Sequence, residues 1–369
     1  MAADQSPLSD IPVRLSKAEL RSMLRLVRLT YALSRQEQYR QLVLPQLPEV
    51  ARFDPRHASL MMGYDFHLTD AGPRLIEVNT NAGGGYLAWL AQARLTKQPP
   101  DPLPHRLTRR LLHSFNQEWM AFAGTDRPLK TVAIVDEEPE KQPLYPEMQA
   151  FRTWLEGQGL AVQIAAPQDL QADADGVYCQ GQPVDLIYNR HCDFFLETEP
   201  LAGVRAAYLA GSVCLSPNPF TYGLLADKRR MIIWSDEQVL TSLGVVGKDR
   251  DLLLEVVPPS RLLADCNPEQ VWQQRKNLVF KPVTRFGSRG VLMGKSITRN
   301  RFGQQDPATT LVQDLVPAGL TEGEGGTFKT DLRLFVYRDR LLGLAARLYQ
   351  GQVTNLRTEG GGFAPILLH

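Results

Sequence analysis

The stretch from Pro73 to Tyr86 constrains what this chain can fold into more than any other. It begins as a short, mainly apolar strand that carries Glu77 and Asn79, and three consecutive glycines follow soon after. Because side chains two apart on a strand point the same way, Glu77 and Asn79 share one face. A carboxylate and an amide oxygen beside backbone without Cβ atoms suit a hard cation and an anionic ligand. The structural alternative is an edge strand that ends in a flexible loop.

Asp65 favours the cation-site interpretation. The segment from Gly63 to Pro73 predicts a strand, an Asp-Ala-Gly-Pro turn and a return strand. A hairpin of that length brings Asp65 alongside Glu77 and Asn79, so we predict an all-oxygen cluster for one or two Mg²⁺ ions. A helical pattern resumes at Tyr86, which places the glycines at a helix N-terminus, where anions are favoured.

Length and charge limit the class of protein. A chain of 369 residues can bury a large core and divide into two or three domains. The 41 basic and 40 acidic residues leave a formal charge of +1, so neither nucleic acid nor an anionic membrane is expected as a partner, and phosphate chemistry must be local. The cysteines lack the spacing of a zinc site or a disulfide framework. No signal-peptide or membrane-spanning pattern is present, so we expect a cytoplasmic enzyme; a homodimer stays open.

Residues 128 to about 220 alternate strands and helices, which predicts a parallel sheet in a small Rossmann-like domain. The absence of G-x-G-x-x-G argues against NAD or FAD in this domain. Arg190 and His191 follow a strand that ends at Tyr188, at the carboxyl edge of the sheet, where ligands bind. We predict that Arg190 holds a substrate carboxylate, whereas His191 is interpreted as a loop histidine. The predicted strands are Thr131–Val135, Ala161–Ala165, Val184–Tyr188 and Ser212–Leu215.

Two lysines mark the following segment. Lys228 opens a helix in Ala-Asp-Lys-Arg, and Lys281 lies on a strand in Phe-Lys-Pro. The loop after Lys281 contains Arg285, Ser288 and glycines, and such a loop can fold over phosphates. The structural alternatives are a surface helix lysine for Lys228, an edge-strand charge for Lys281 and a basic solvated hairpin for the loop.

The C-terminal part predicts further strands. Residues 310–316 are typical of a buried strand, and Arg333 and Arg347 lie on two strands that pair across the turn at 338–340. Their structural alternative is a pair of cross-strand surface charges. An Asn355-Leu-Arg-Thr-Glu-Gly-Gly segment follows.

Together these motifs resemble those of the ATP-grasp ligases, in a shuffled order. Lys228 and Lys281 match that family's two lysines, and residues 312–316 match its hinge strand. The Asp331-Leu-Arg333 strand and the strand of Arg347 match the next two steps in the family's order. Glu77-Val-Asn79, however, stands near the other end of the chain. This arrangement is typical of a circular permutation, and Ile-Glu-Val-Asn-Thr is similar to the corresponding segment of eukaryotic glutathione synthetases. The resemblance covers most of residues 60–369 and leaves 1–55 outside it. It implies an α/β fold, specifically an α+β ATP-grasp with a Rossmann-like parallel-sheet domain.

The resemblance also implies a role for each matching residue. Where glutathione synthetases have a metal-binding glutamate after Lys-Pro, this chain has Arg285 and Phe286. Asp65 is the candidate replacement ligand, which puts glutathione as the product in doubt. The expected groups are Asp65, Glu77 and Asn79 for Mg²⁺; Lys228, Lys281, Arg285, Ser288, Gln313, Asp314, Leu315 and Val316 for ATP; Arg333, Arg347 and Lys281 for catalysis; and Arg190, Asn81, Gly83, Gly84 and Asn355 for substrate.

The expected activity is an ATP- and Mg²⁺-dependent carboxylate–amine (or thiol) ligase. It would act through an acyl phosphate on small-molecule substrates and release ADP and phosphate. A phosphotransferase on the same fold and a non-catalytic nucleotide-binding protein are the alternatives. The predicted domains are residues 1–127 with the metal-site hairpin at about 60–95, residues 128–220 for substrate, and residues 221–369 for the ATP-grasp lid and core.

Overall fold

The computed structural model describes residues 7–95, 105–124, 127–283, 290–352 and 358–369, without the side chains of 105–108. Its strands are β1 (Val13–Leu15), β2 (Met62–Thr69), β3 (Gly72–Asn79), β4 (Thr131–Val135), β5 (Ala161–Ala165), β6 (Leu170–Asp173), β7 (Gly176–Cys179), β8 (Gln182–Pro183), β9 (Leu186–Asn189), β10 (Cys214–Ser216), β11 (Ser260–Leu262), β12 (Leu278–Pro282), β13 (Leu292–Met293), β14 (Thr310–Asp314), β15 (Gly319–Gly323), β16 (Gly326–Tyr337), β17 (Arg340–Tyr349), β18 (Gly362–Ala364) and β19 (Ile366–Leu368).

The helices connect these strands and cover their faces. They are α1 (Lys17–Leu33), α2 (Glu37–Val43), α3 (Gly85–Leu95), α4 (His105–Ala123), α5 (Tyr145–Glu156), α6 (Ala202–Ala210), α7 (Pro219–Thr221), α8 (Arg230–Trp234), α9 (Glu237–Ser242), α10 (Gly247–Val256), α11 (Pro268–Gln274) and α12 (Arg299–Gly303). None of the described helices is both long and apolar enough to cross a bilayer.

The alternating segment forms the predicted parallel sheet. β10, β9, β4 and β5 lie side by side in that order, and every pairing between them is parallel. Helix α5 buries Met148, Phe151 and Leu155, which recur every three or four residues as an amphipathic helix requires. The small antiparallel group β6-β7-β8 was not predicted from the sequence.

The predicted hairpin is confirmed and belongs to a larger antiparallel sheet. Its order is β18-β17-β16-β2-β3, with β15 also paired to β16. Asp65 on β2 lies opposite Glu77 on β3, while Arg333 on β16 lies opposite Asp65. A strand from the first quarter of the chain therefore pairs in the middle of a sheet built from the last quarter, as the permuted order requires.

A second antiparallel sheet, β11-β14-β12-β13, carries Lys281 on β12 and Gln313 on β14. Gln313 lies opposite Val279, two residues from Lys281 on β12, so Lys281 and Gln313 are diagonal neighbours on the same face of the sheet. The cleft between the two antiparallel sheets is the site described below.

The N-terminal segment outside the resemblance packs on the same core. Ser16 lies three residues ahead of Glu19, a spacing that predicts a helix N-cap, and it caps α1: its hydroxyl accepts from Glu19 N–H, and the Glu19 carboxylate accepts from Ser16 N–H. Met23 and Val27 of α1 are buried in one cluster with Phe66 of β2. Strand β1 adds a parallel pairing to β19.

Packing between α3 and β17 generates a stability prediction. A Cβ on Gly343 would lie 2.5 Å from Nε1 of Trp89, which is buried in the core. Gly343→Ala should therefore lower the free energy of unfolding by about 1–3 kcal/mol through overpacking. Urea titration monitored by tryptophan fluorescence measures the change. Gly303→Ala is the matched control, because a Cβ there meets no described atom within 4 Å; equal loss in both variants would contradict the packing argument.

Candidate active site

Four charged residues on three neighbouring strands form a buried group, here named the arginine–aspartate cluster. It consists of Asp65 on β2, Asp331 and Arg333 on β16, and Arg347 on β17. Arg333 donates from Nε to Oδ1 of Asp65 and from Nη2 to Oδ2, each over 2.6 Å. Arg347 donates from Nη2 to Oδ2 of Asp65 over 2.9 Å and from Nε to Oδ1 of Asp331 over 2.5 Å. Both arginines predicted to be catalytic are thus brought together around one carboxylate.

Opposite charges favour the ionised forms of Asp65 and Arg347 despite their burial. Burial alone would raise the pKa of Asp65, which is 2% exposed, but Arg333 and Arg347 outweigh it and lower the pKa from 3.8 to about 2. Burial likewise disfavours the charged form of Arg347, yet Asp331 and Asp65 raise its pKa above the ordinary value. The charged forms of Asp65 and Arg347 are therefore stabilised by the opposite charges beside them.

The predicted metal trio is brought together, although Asp65 has other partners. The Nδ2 group of Asn79 lies 3.3 Å from Oδ2 of Asp65 and 3.2 Å from Oε1 of Glu77. Both oxygens of Asp65 accept from arginine, so direct ligation by Asp65 would require those bonds to be given up. No group of three or more His, Cys, Asp or Glu residues suited to a metal occurs in the described part of the chain. Glu77 and Asn79, both half-buried, are the oxygen donors that fit a cation.

Lys281 and Lys228 line a small cavity together with Glu77. The Lys281 ammonium donates to the carbonyl oxygen of Ile76 over 2.9 Å and to Oε1 of Gln313 over 2.7 Å. Burial lowers the pKa of Lys281 to about 8; Glu77 opposes this shift and Lys228 adds to it. Burial also lowers the pKa of Lys228, which lies in the turn before α8, against the raising effect of Glu77. The two lysines and one carboxylate are therefore electrostatically coupled.

The predicted hinge lines the cleft. Leu315 donates its N–H to Asn277 over 2.8 Å, Asp314 donates its N–H to Pro259 over 3.0 Å, and the carbonyl oxygen of Val316 lies 3.0 Å from Nδ1 of His67. These backbone groups already have partners, so their contact with adenine stays a prediction. The cleft is lined by Asp65, His67, Ile76, Glu77, Val279, Lys281, Val291, Met293, Gln313, Asp314, Leu315, Val316, Asp331, Arg347, Tyr349 and Gln352.

The backbone N–H groups of the glycine turn bind a carboxylate of the protein itself. The Glu147 carboxylate accepts from Gly84 N–H and Tyr86 N–H, each over 2.9 Å, so the protein itself supplies the negative charge that the N-terminus of α3 favours. Arg190 donates to the same carboxylate over 3.2 Å and to the Tyr188 hydroxyl over 3.2 Å. Arg190 is thus a buried partner of Glu147 through Nη1, and its contact with a substrate carboxylate stays a prediction.

The sequence analysis missed Glu147, although a signal was present. Glu147 precedes Phe151 and Leu155 at intervals of four, so it lies on the buried stripe of α5. A charged residue on an apolar stripe requires a partner, because an unpaired buried charge is costly.

The remaining predicted substrate residues have structural contacts. Asn81 donates to the carbonyl oxygens of Arg190 and His191, each over 3.2 Å, and so ties the turn to the parallel sheet. The Gly83 carbonyl oxygen accepts from Nη1 of Arg333 over 3.1 Å. The predictions for Arg285, Ser288 and Asn355 fall outside the described residues.

Comparison with known proteins identifies the fold. No protein-family model matches the sequence, and no curated protein does. A glutathione synthetase-like effector from Globodera pallida matches with a TM-score of 0.62 and 11% identity, covering 98% of this chain and 90% of that one. A putative gamma-glutamylcysteine synthetase from Methylobacillus flagellatus has a TM-score of 0.49 and 12% identity, over 93% and 86% of the two chains. The ATP-grasp ligase PsnB with its minimal precursor has a TM-score of 0.34 and 14% identity, over 62% and 78%.

The chain therefore has an α/β fold of the ATP-grasp type, similar to that of the glutathione synthetase-like effector. The fold predicted from the shuffled motifs is confirmed.

The arginine–aspartate cluster generates a stability prediction. Asp65→Asn should lower the free energy of unfolding at pH 7 by about 3 kcal/mol, because it leaves two buried guanidinium groups without their shared carboxylate. Glu77→Gln is the matched control, since Glu77 is half-buried and its charge is not part of the cluster. Urea unfolding of the three proteins measures both effects. A loss for Asp65→Asn no larger than that for Glu77→Gln would show that the cluster does not stabilise the sheet.

Proposed function

We propose that the protein is an ATP- and Mg²⁺-dependent ligase that joins a carboxylate to an amine through an acyl phosphate and releases ADP and phosphate. One observation carries the proposal: Lys281 and Glu77 line a cleft that Asp65, Asp331 and Arg347 also border, and Lys228 lines the small cavity together with Lys281 and Glu77. Such a convergence of cations around one carboxylate suits phosphoryl transfer, where catalysis is mainly positioning and electrostatic stabilisation.

Lys281 and Lys228 would bind the non-transferred phosphates of ATP. An ammonium group has three donors, and Lys281 uses two of them on Ile76 and Gln313, which leaves one for a phosphate oxygen. The hinge strand would lie along the adenine.

Arg333 and Arg347 would stabilise the phosphoryl group as it moves. Arg333 uses three of its five donors on Asp65 and Gly83 within the described residues, so two remain for phosphate oxygens. Their carboxylate partners fix both guanidinium groups in place before substrate arrives, which is the preorganisation that lowers the cost of charge stabilisation.

Glu77 and Asn79 would hold Mg²⁺. One carboxylate, one amide oxygen and phosphate oxygens are the donors that this ion accepts in nucleotide sites. When bound, Mg²⁺ would neutralise charge on the phosphates. Asn79 would rotate its amide so that the oxygen faces the ion, and would thereby give up its present donation from Nδ2 to Asp65 and Glu77.

Isotope transfer tests the reaction path. A matrix of amino acids, short peptides and amines is first screened for ADP release, and the active pair is then prepared with oxygen-18 in the carboxylate. One labelled oxygen per turnover should appear in inorganic phosphate, because the carboxylate oxygen attacks the γ-phosphorus and leaves with it after the amine attacks. Mass spectrometry of phosphate and AMP measures this.

The alternatives give different products in the same assay. Label in AMP would show adenylate chemistry and overturn the proposal, and phosphate retained on the substrate would show a phosphotransferase. Glu77→Gln should fold normally but lose most turnover, because the cation is held less tightly. Full turnover of this variant at saturating Mg²⁺ would show that Glu77 does not hold the cation.

The pKa of Lys281 makes nucleotide binding sensitive to pH. Because that pKa is about 8 without ligand, the ammonium form is partly lost above pH 8, and a bound phosphate would favour proton uptake. The Kd for ATP should therefore weaken between pH 7 and pH 9. Calorimetry in two buffers of different ionisation enthalpy should show proton uptake at pH 8. Lys281→Met should abolish this uptake; an unchanged uptake would assign it to another group.

A further inference from the structure

A second cavity lies at the far end of the same antiparallel sheet. It has a volume of about 480 Å³ and is bounded by α1, α2, the 54–58 loop and the turn after β16. Arg338 lies five residues beyond Arg333, which at about 3.4 Å per residue places it roughly 17 Å from the arginine–aspartate cluster. The cavity shares no lining residue with the cleft. It is therefore separate from the proposed active site.

Positive charge dominates the cavity. Arg35, Arg40, Arg56 and Arg338 line it, against the single carboxylate of Asp54. Arg40 donates to Asp54 over 3.1 Å and so neutralises that carboxylate. Nη2 of Arg338 lies 3.6 Å from Oε1 of Glu118, so the guanidinium groups of Arg35 and Arg56 remain in excess. Such groups bind phosphates and carboxylates with two parallel hydrogen bonds.

A buried histidine in the wall lacks one hydrogen-bond partner. The side chain of His57 is fully buried, and its Nδ1 lies 3.0 Å from Oε2 of Glu118. Burial would raise the pKa of Glu118, but hydrogen bonding and charge from His57 outweigh it and lower the pKa, so Glu118 is ionised and accepts the Nδ1 proton. Nε2 of His57 has no partner among the described residues, and the same is true of Nε of Arg338. Buried polar atoms of this kind are normally satisfied.

Glu118 fixes this histidine in place. Its carboxylate also accepts from Ala58 N–H over 3.1 Å, the Ser216 hydroxyl over 3.1 Å and the Tyr337 hydroxyl over 2.9 Å. His57 is therefore held rigidly in the cavity wall, so the orientation of Nε2 is preset.

We propose that this cavity binds a small oxyanion, a phosphate- or carboxylate-bearing molecule with an apolar portion. The anionic group would accept from the guanidinium groups of Arg35, Arg56 and Arg338. It would also accept from Nε2 of His57, which would take up a proton from solvent as the anion binds, because the Nδ1 proton is already donated to Glu118. Met62, Phe220 and Leu224 line the same cavity and would pack against the apolar portion. The ligand would bridge α1, the 54–58 loop and the β16–β17 turn, and so stabilise the folded state.

Binding of inorganic pyrophosphate and of malonate tests this site. Nitrogen-15 histidine labelling allows NMR detection of His57 Nε2, whose resonance should shift as the ligand saturates. Titration of the Lys228→Gln/Lys281→Gln protein separates this site from the nucleotide cleft, and the His57 shift should persist there. The pyrophosphate arm reports a phosphate ligand and the malonate arm a carboxylate ligand; a His57 shift with either one supports an oxyanion site.

Rim arginines supply the matched variants. Arg35 and Arg56 are exposed, so Arg35→Gln/Arg56→Gln should fold normally and weaken the Kd by about tenfold or more. Arg25→Gln is the control, because Arg25 lies on α1, the helix that ends shortly before Arg35, but pairs with Asp249 outside the cavity. A His57 resonance that responds to neither anion, or a Kd that the double variant leaves unchanged, overturns the proposal.

Discussion

The pairing of Asp65 with Arg333 and Arg347 is the interaction on which the site depends. It joins strands that are 268 and 282 residues apart in sequence and fixes the register of β2 against β16. A slip of one residue would turn Asp65, Glu77 and Asn79 to the opposite face and leave both guanidinium groups buried without a carboxylate. The cost of such unpaired charges excludes the alternative registers, so the cluster specifies where the cation donors lie.

Pairing with carboxylates also explains how buried guanidinium groups remain stable in this part of the fold. Buried arginines are stable only with anions beside them, and here the anions are Asp65, Asp331 and Glu147 of the protein itself. Each arginine retains donors that its partner does not use. The cleft can therefore present oriented N–H groups to a phosphate without first assembling them, while Lys281, less fully compensated, has a lowered pKa.

Local periodicity allowed much of the fold to be predicted. The β2–β3 hairpin, the strands of the parallel sheet and the Ser16 cap follow from spacing within a few residues, and the joint order of the lysine and arginine motifs indicated the permuted fold. The partners of Asp65 could not be predicted, because no local pattern specifies a contact across 268 residues. The assignments of Asp65 to a metal and of Arg190 to a substrate were therefore made without their buried counterions, and both stay predictions.

Net charge does not reveal this organisation. A formal charge of +1 indicated no global field, yet β16 leads from the charge-matched cluster at Arg333 to a turn at Arg338, where arginines outnumber carboxylates around the second cavity. Local fields depend on how charges are paired within low-dielectric surroundings, and the whole-chain sum averages over them. Around Asp65, carboxylates match the arginines in number, and the paired charges position a site. Around His57, arginines outnumber carboxylates among the residues that line the cavity, and this excess of positive charge favours the binding of an anion.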